Sequence, residues 1–246
     1  EAFTRPKLMQ HLSKLGFTQS YTYFIWRNTA WELREYFTEL NNPWFREFFR
    51  PNLWPTTHDV LHHYLQVGGR PGSIIRLILA GTLSASYGIY GPAFELCELT
   101  PLEEGSEEFL NSEKYEIRTW NLDDPNSLRD IIKRLNQARR DHPALQSNHS
   151  LRFHNCTNDQ MLCYTKQTDD FSDVILVVIN LDPHQTHNTF VDLPLESLGL
   201  DPYQDYQLRD LLMDVEYTWF GGRNYVELDP NVMPAHVFWV KQWEET

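Results

Sequence analysis

Cationic residues are scarce in this 246-residue chain: 21 Lys and Arg stand against 34 Asp and Glu, a formal net charge of -13 at pH 7. That balance argues against a nucleic-acid backbone or an anionic membrane surface as the main partner, since both repel a polyanion. Cysteine is sparse too. Cys97, Cys156 and Cys163 are odd in number and show no metal-ligand spacing, which points to a reducing, cytoplasmic setting. Long apolar runs are missing: the longest, around Ile74 to Leu83, is interrupted by Arg76 and too short to span a bilayer. Walker spacing is absent from Gly68-Gly69-Arg70-Pro71-Gly72, so this stretch reads as a turn-rich break and not as a phosphate cradle. With no signal peptide in view, the sequons at Asn148 and Asn155 read as chance. An initiator Met is lacking as well, so the chain reads as processed or as the tail of something longer.

What is present is an ordinary globular composition, 41% apolar and 22% charged, in a chain long enough to bury a sizeable core. A helix is predicted from Pro6 to Leu15, ended by Gly16. A β-branched and aromatic stretch, Ser20 to Trp26, predicts a strand. Asn28 or Thr29 can cap a helix carrying Trp31, Leu33, Tyr36, Phe37 and Leu40. A strand ending near Trp54, a helix from Asp59 to about Gln66, a buried helix from Ile74 to Ala85 and a short strand Tyr87–Tyr90 follow. After an acidic connector, Glu103 to Asn126, one more helix from Leu128 stops before Pro143.

Beyond about Leu145 the texture becomes all-β. Short runs at Met161–Lys166, Val174–Leu181, Thr189–Leu193, Gln207–Asp210, Asn224–Leu228 and Ala235–Val240 are separated by turn residues, the pattern of a sandwich.

The central stretch runs Phe48 to Leu61: an aromatic segment, two prolines, then His58-Asp59 at a predicted helix start. Asp59 reads equally as a helix cap or as a chemical residue placed just past a strand. Glu1 lies 58 positions earlier (59 minus 1), about two barrel units at roughly 30 residues each. Two carboxylates on alternate strands of a (β/α)8 barrel would share one mouth, the arrangement glycoside chemistry needs. Two unrelated acids fit the spacing as well.

Several stretches carry a resemblance: Glu1 to Pro6, Arg50-Pro51-Asn52 with Asp59, Tyr87 to Glu95, Ser112 to Arg118, and Asn224 to Pro230. Together they resemble the α-1,4-glucan:maltose-1-phosphate maltosyltransferases of the α-amylase-like superfamily, over essentially the whole chain. The resemblance implies an α/β plus all-β chain: the C-terminal half of a (β/α)8 barrel (1–146), then a C-terminal antiparallel β-sandwich (147–246). It implies transfer of maltosyl units from maltose 1-phosphate to α-1,4-glucans with retention. Glu1 matches the general acid/base and Asp59 the acid that stabilises the oxocarbenium-like transition state. Lys114 and Tyr115 match donor-sugar contacts. His58 departs from the family, where Pro commonly precedes this aspartate, and is placed beside a sugar subsite. The family's nucleophilic aspartate lies upstream of Glu1, so the chain as given is expected to be inactive and poorly stable alone. Expected partners are α-1,4-glucan, a maltosyl donor, the missing N-terminal half and, as one option, a second copy in a homodimer. No cofactor and no metal is expected: His58 and His62 have helical metal-pair spacing but no third ligand. The alternatives are another α-amylase-like hydrolase or transglycosidase, or a non-catalytic carbohydrate-binding module.

Overall fold

The computed structural model describes residues 4–242. Helix α1, Pro6–Lys14, starts on a proline and ends before Gly16 (φ 105°), a backbone angle that suits a residue without Cβ. Helix α2, Ala30–Leu40, opens with a capping box: Thr29 Oγ1 accepts from the Glu32 N–H, and the Glu32 carboxylate accepts from the Thr29 N–H. Its buried face is Leu33, Phe37 and Leu40.

Three short strands, β1 (Ser20–Tyr21), β2 (Pro51–Leu53) and β3 (Ser86–Tyr87), form a parallel sheet in that order. The strand expected over Ser20–Trp26 is therefore corrected. Only its first two residues pair, and Tyr23–Trp26 turns into a 3-10 helix. The cause is distant in sequence. Arg76, fully buried, donates through Nη2 to Phe24 O and through Nη1 to Arg27 O, both at 2.6 Å, and its guanidinium lies 3.7 Å from the Phe24 ring centroid.

Helix α3, His63–Leu83, is two helices joined at Gly69 (φ 57°, ψ -150°), where the glycine-rich break was expected. Every residue from Gly72 to Leu83 is buried. Helix α3 starts four residues later than expected, and His62, not Asp59, caps it: His62 Nδ1 accepts from the Tyr64 N–H at 3.1 Å. Helices α4 (Gly91–Glu95) and α5 (Arg129–Asp141) follow, and the Leu135 side chain of α5 packs onto Gly81 of α3.

The remaining strands are β4 (Arg152–Cys156), β5 (Met161–Gln167), β6 (Val174–Asn180), β7 (His187–Asp192), β8 (Asp205–Asp210), β9 (Val215–Phe220), β10 (Arg223–Leu228) and β11 (Ala235–Gln242). They pair antiparallel in the order β10-β7-β4-β5-β6-β11-β8-β9. The expected sandwich thus takes the form of one continuous sheet. Strand β4 turns its corner, pairing with β5 through Arg152–His154 and with β7 through Asn155–Cys156. The outermost strands, β9 and β10, are joined by the Gly221-Gly222 turn, so the sheet curls back on itself. Tyr206 helps to fasten the closure, donating to Gly221 O (3.0 Å) and accepting from Asn224 Nδ2 (3.0 Å).

Alternation along the central strands builds two cores at once. Ile175, Val177 and Ile179 of β6 face α3, in a core that also holds Leu77, Ile78 and Leu135. Val174, Leu176 and Val178 face the inside of the curl with Val191, Leu208 and Phe238. Each such side chain contributes about 1.5–3 kcal/mol by leaving water. No helix among the described residues is long and apolar enough to cross a membrane.

Candidate active site

The segments leaving the C-terminal ends of β1, β2 and β3 carry Trp26, His58-Asp59 and Tyr90 in turn. The segment after β2 is pinned internally: the Asp59 N–H donates to Thr57 Oγ1 (3.2 Å), and Thr57 and Val60 exchange backbone hydrogen bonds. Beside it the connector between α4 and α5 folds into a small hairpin, with a bridge between Pro101 and Phe109. Buried Phe109 anchors it against Tyr90 (5.7 Å between centroids), and the Leu61 N–H donates to Glu107 O at 2.6 Å. A turn built on buried Ser112 then presents Lys114: the Lys114 N–H donates to Ser112 Oγ, and the Tyr115 N–H to Ser112 O.

Asp59 and Lys114 meet here. Lys114 Nζ lies 2.7 Å from Asp59 Oδ1, while His58 Nε2 lies 3.1 Å from Oδ2. Glu108 is the second carboxylate around the ammonium, at 3.7 Å. The hydrogen bond to Asp59 raises the Lys114 pKa, opposed by burial and assisted by the charges of Asp59, Tyr115 and Glu108. The ammonium therefore keeps its charge through neutral pH. The Asp59 side chain is 51% exposed and Lys114 24%, so the pair opens onto solvent where a ligand can reach it. Tyr115 is exposed, its ring 5.4 Å from Lys114 Nζ, and the Tyr90 ring stands 6.2 Å from that of His58. An acid, an ammonium, an imidazole and two phenol rings on one open rim can take up sugar hydroxyls and stack on a pyranose face.

Of the residues expected at the site, the structure brings together His58, Asp59, Lys114 and Tyr115; Glu1 lies outside the described residues. Asp59 is not a helix cap. His58 and His62 do not form a metal pair: His58 sits outside any helix, and His62 caps α3 through Nδ1 and approaches Glu107 at 3.8 Å through Nε2. No cluster of metal-binding side chains occurs among the described residues. Burial lowers the His62 pKa, with Glu107 pulling the other way.

The rim also holds residues that sequence reasoning passed over. Trp26 Nε1 lies 3.3 Å from both Glu107 oxygens, and Glu113 accepts from Trp120 Nε1 (3.0 Å) and Tyr90 OH (3.4 Å). Their one signal was the density of acids in the connector, which reads equally as a solvated loop.

The family described as GLGE, C-terminal matches residues 153–240. The α-1,4-glucan:maltose-1-phosphate maltosyltransferase of Methylacidiphilum infernorum is 49% identical over 244 residues, covering 98% of this chain and 36% of its own length. By sequence, the chain matches the C-terminal part of these maltosyltransferases. The Chlorobaculum tepidum maltosyltransferase is 48% identical, with 97% and 36% coverage, and a Streptomyces coelicolor maltosyltransferase is also 48% identical. The chain spans about a third of the length of the curated maltosyltransferases it matches. Among solved structures, an Anoxybacillus α-amylase superposes with a TM-score of 0.70 at 15% identity, covering all of this chain and 52% of the amylase. The maltogenic α-amylase AmyB of Thermotoga neapolitana gives 0.62 at 14% identity, with 93% and 52% coverage. The chain thus shares its fold with part of these amylases.

Proposed function

We propose that residues 1–146 are the second half of a (β/α)8 catalytic barrel and that residues 147–246 are its C-terminal β-domain, a sandwich closed into one sheet. Together they act within a retaining maltosyltransferase that extends α-1,4-glucans from maltose 1-phosphate. In this reading Glu1 protonates the departing phosphate oxygen and then takes the proton of the incoming glucan hydroxyl. Asp59 binds sugar hydroxyls and stabilises the positive charge that develops at the anomeric carbon. Lys114, Tyr115 and His58 hold the donor sugar. The three free thiols support a cytoplasmic setting. The observation that carries the proposal is the 2.7 Å pair between Asp59 and Lys114, joined from two distant stretches at the C-terminal rim of the parallel strands.

The test is a chimera in which residues 1–246 replace the matching part of the Methylacidiphilum infernorum relative. It is assayed for release of maltose 1-phosphate from α-glucan in inorganic phosphate. Asp59→Asn is expected to lower kcat by about 10²–10³, and Lys114→Met to raise KM for the maltosyl donor more than it lowers kcat. Undiminished activity in Asp59→Asn overturns the assignment. The His58-Asp59 pair favours a second reading, another α-amylase-like hydrolase or transglycosidase; glucan cleavage indifferent to phosphate would establish that one.

A further inference from the structure

At the other end of the parallel sheet, where the chain enters β2 and β3, lies a second concavity of about 200 Å3. Its wall is formed by Arg46, Arg50, Gln146, Ser147, Asn148 and His149, with Ala85. Arg50 directly precedes β2 and Ala85 directly precedes β3, whereas Asp59 follows the far end of β2. Acids outnumber bases 34 to 21 in the chain, yet no Asp or Glu lines this cavity among the described residues.

The hydrogen bonds around it leave donors without acceptors. Arg46 Nη1 donates to His149 O (3.3 Å) and Arg50 Nη1 to Arg46 O (2.6 Å), and no other acceptor meets either guanidinium among the described residues; Arg46 Nε, unpartnered too, is buried away from solvent. Asn148 Oδ1 is taken up by the Ala85 N–H (2.7 Å) and Ser84 Oγ (3.3 Å), which leaves its amide nitrogen to donate. Ser147 Oγ already accepts from the His149 N–H (3.1 Å), so its hydroxyl hydrogen is available. Gln146 Nε2 is committed to Arg139 O and Arg140 O. Two guanidiniums, an amide and a hydroxyl offer hydrogens with no counter-charge on the wall, an excess of positive charge and donors that suits a compact oxyanion better than a neutral sugar.

We propose that this cavity binds a phosphate group, as the free ion or as a monoester, at the end of the parallel sheet opposite the candidate active site. Arg46 and Arg50 belong to the link between α2 and β2, and residues 146–149 lead into β4. A bound dianion therefore ties the parallel-sheet part of the molecule to the β-domain. The proposal stands on this cavity alone and does not depend on the maltosyltransferase reading.

The test is isothermal titration of the full chain with inorganic phosphate and, separately, glucose 6-phosphate, at constant ionic strength, alongside thermal melts. Saturable binding is expected, with a melting temperature that rises with ligand concentration. Affinity should fall at least about tenfold in Arg46→Gln and in Arg50→Gln, and should persist in Lys114→Met, which alters the opposite rim. Arg50 is exposed, so its variant keeps the comparison intact should Arg46→Gln fold poorly. Tighter binding of the free ion or of the ester assigns the form of phosphate the site takes. Absence of saturable binding, affinity unchanged from the parent in both arginine variants, or loss of binding in Lys114→Met overturns the proposal.

Discussion

Gly88 offers a sharp test of how tightly the C-terminal end of the parallel sheet is packed. Its N–H donates to Leu53 O at 2.9 Å, which extends the β2–β3 register by one residue, and the Trp54 ring packs directly against it. A Cβ built on Gly88 would stand 2.4 Å from Trp54 Cη2, 2.4 Å from Cζ2 and 2.6 Å from Cε2. Carbon atoms rest at about 3.5–4.0 Å, so the ring must withdraw by an ångström or more. The Tyr21 ring, 5.7 Å away between centroids, stands close to it as well. Overpacking of this kind costs about 1–3 kcal/mol. At about 2–4 °C per kcal/mol for a chain of this size, Gly88→Ala should lower the melting temperature by about 2–12 °C. Gly72→Ala is the control with the opposite sign: its Cβ would meet Tyr64 Cε1 at 3.5 Å, ordinary contact, inside a helix. Removing that glycine should stabilise by about 0.5–1 kcal/mol. Calorimetric melts of both variants decide the matter. If Gly88→Ala melts within about 1 °C of the parent, or both variants shift the same way, the packing argument is wrong.

Arg76→Met should destabilise the chain by about 2–4 kcal/mol, because Phe24 O and Arg27 O lose charged donors inside the core; denaturant unfolding monitored by circular dichroism measures it. His154 is buried, with Nε2 2.8 Å from Thr165 Oγ1, and burial brings its pKa down to about 4 from 6.5, assisted by Arg34 and Arg152. The unfolded state takes the proton first, so the contribution is intact above pH 6.5 and is lost as pH falls toward 4, on the order of 3 kcal/mol. Melting temperatures from pH 7 to 4 should fall less steeply in His154→Gln than in the parent; equal slopes would sink the assignment.

Elements bounded by local chemistry were legible: α1 between Pro6 and Gly16, α2 behind Asn28 or Thr29, and the kink within the Gly68–Gly72 break. Elements decided by distant partners were not. Nothing near Tyr23–Trp26 announces Arg76, which turns an apparent strand into a helical turn some 50 positions ahead of it in sequence. Strand β9, Val215–Phe220, went unread because it is an edge strand, mostly exposed, with no clean alternation of burial. Val174–Leu181, by contrast, read as a strand, and the structure buries every residue of Val174–Asn180. The site divides the same way. Asp59 stood out by its place after a strand, and Lys114 and Tyr115 only through family resemblance. Glu107, Glu113 and Trp26 became visible when the connector folded back over the rim.

Strands β5 and β6 give one face to the curled domain and the other to α3 and α5, and Tyr164 OH meets Thr82 Oγ1 across that boundary at 2.6 Å. Cutting between residues 146 and 147 would therefore not release an independent module. The excised piece would carry Leu162, Tyr164, Ile175, Val177 and Ile179 bare to water, a greasy flank prone to self-association, so any glucan affinity ascribed to this domain must be measured with its helices still attached.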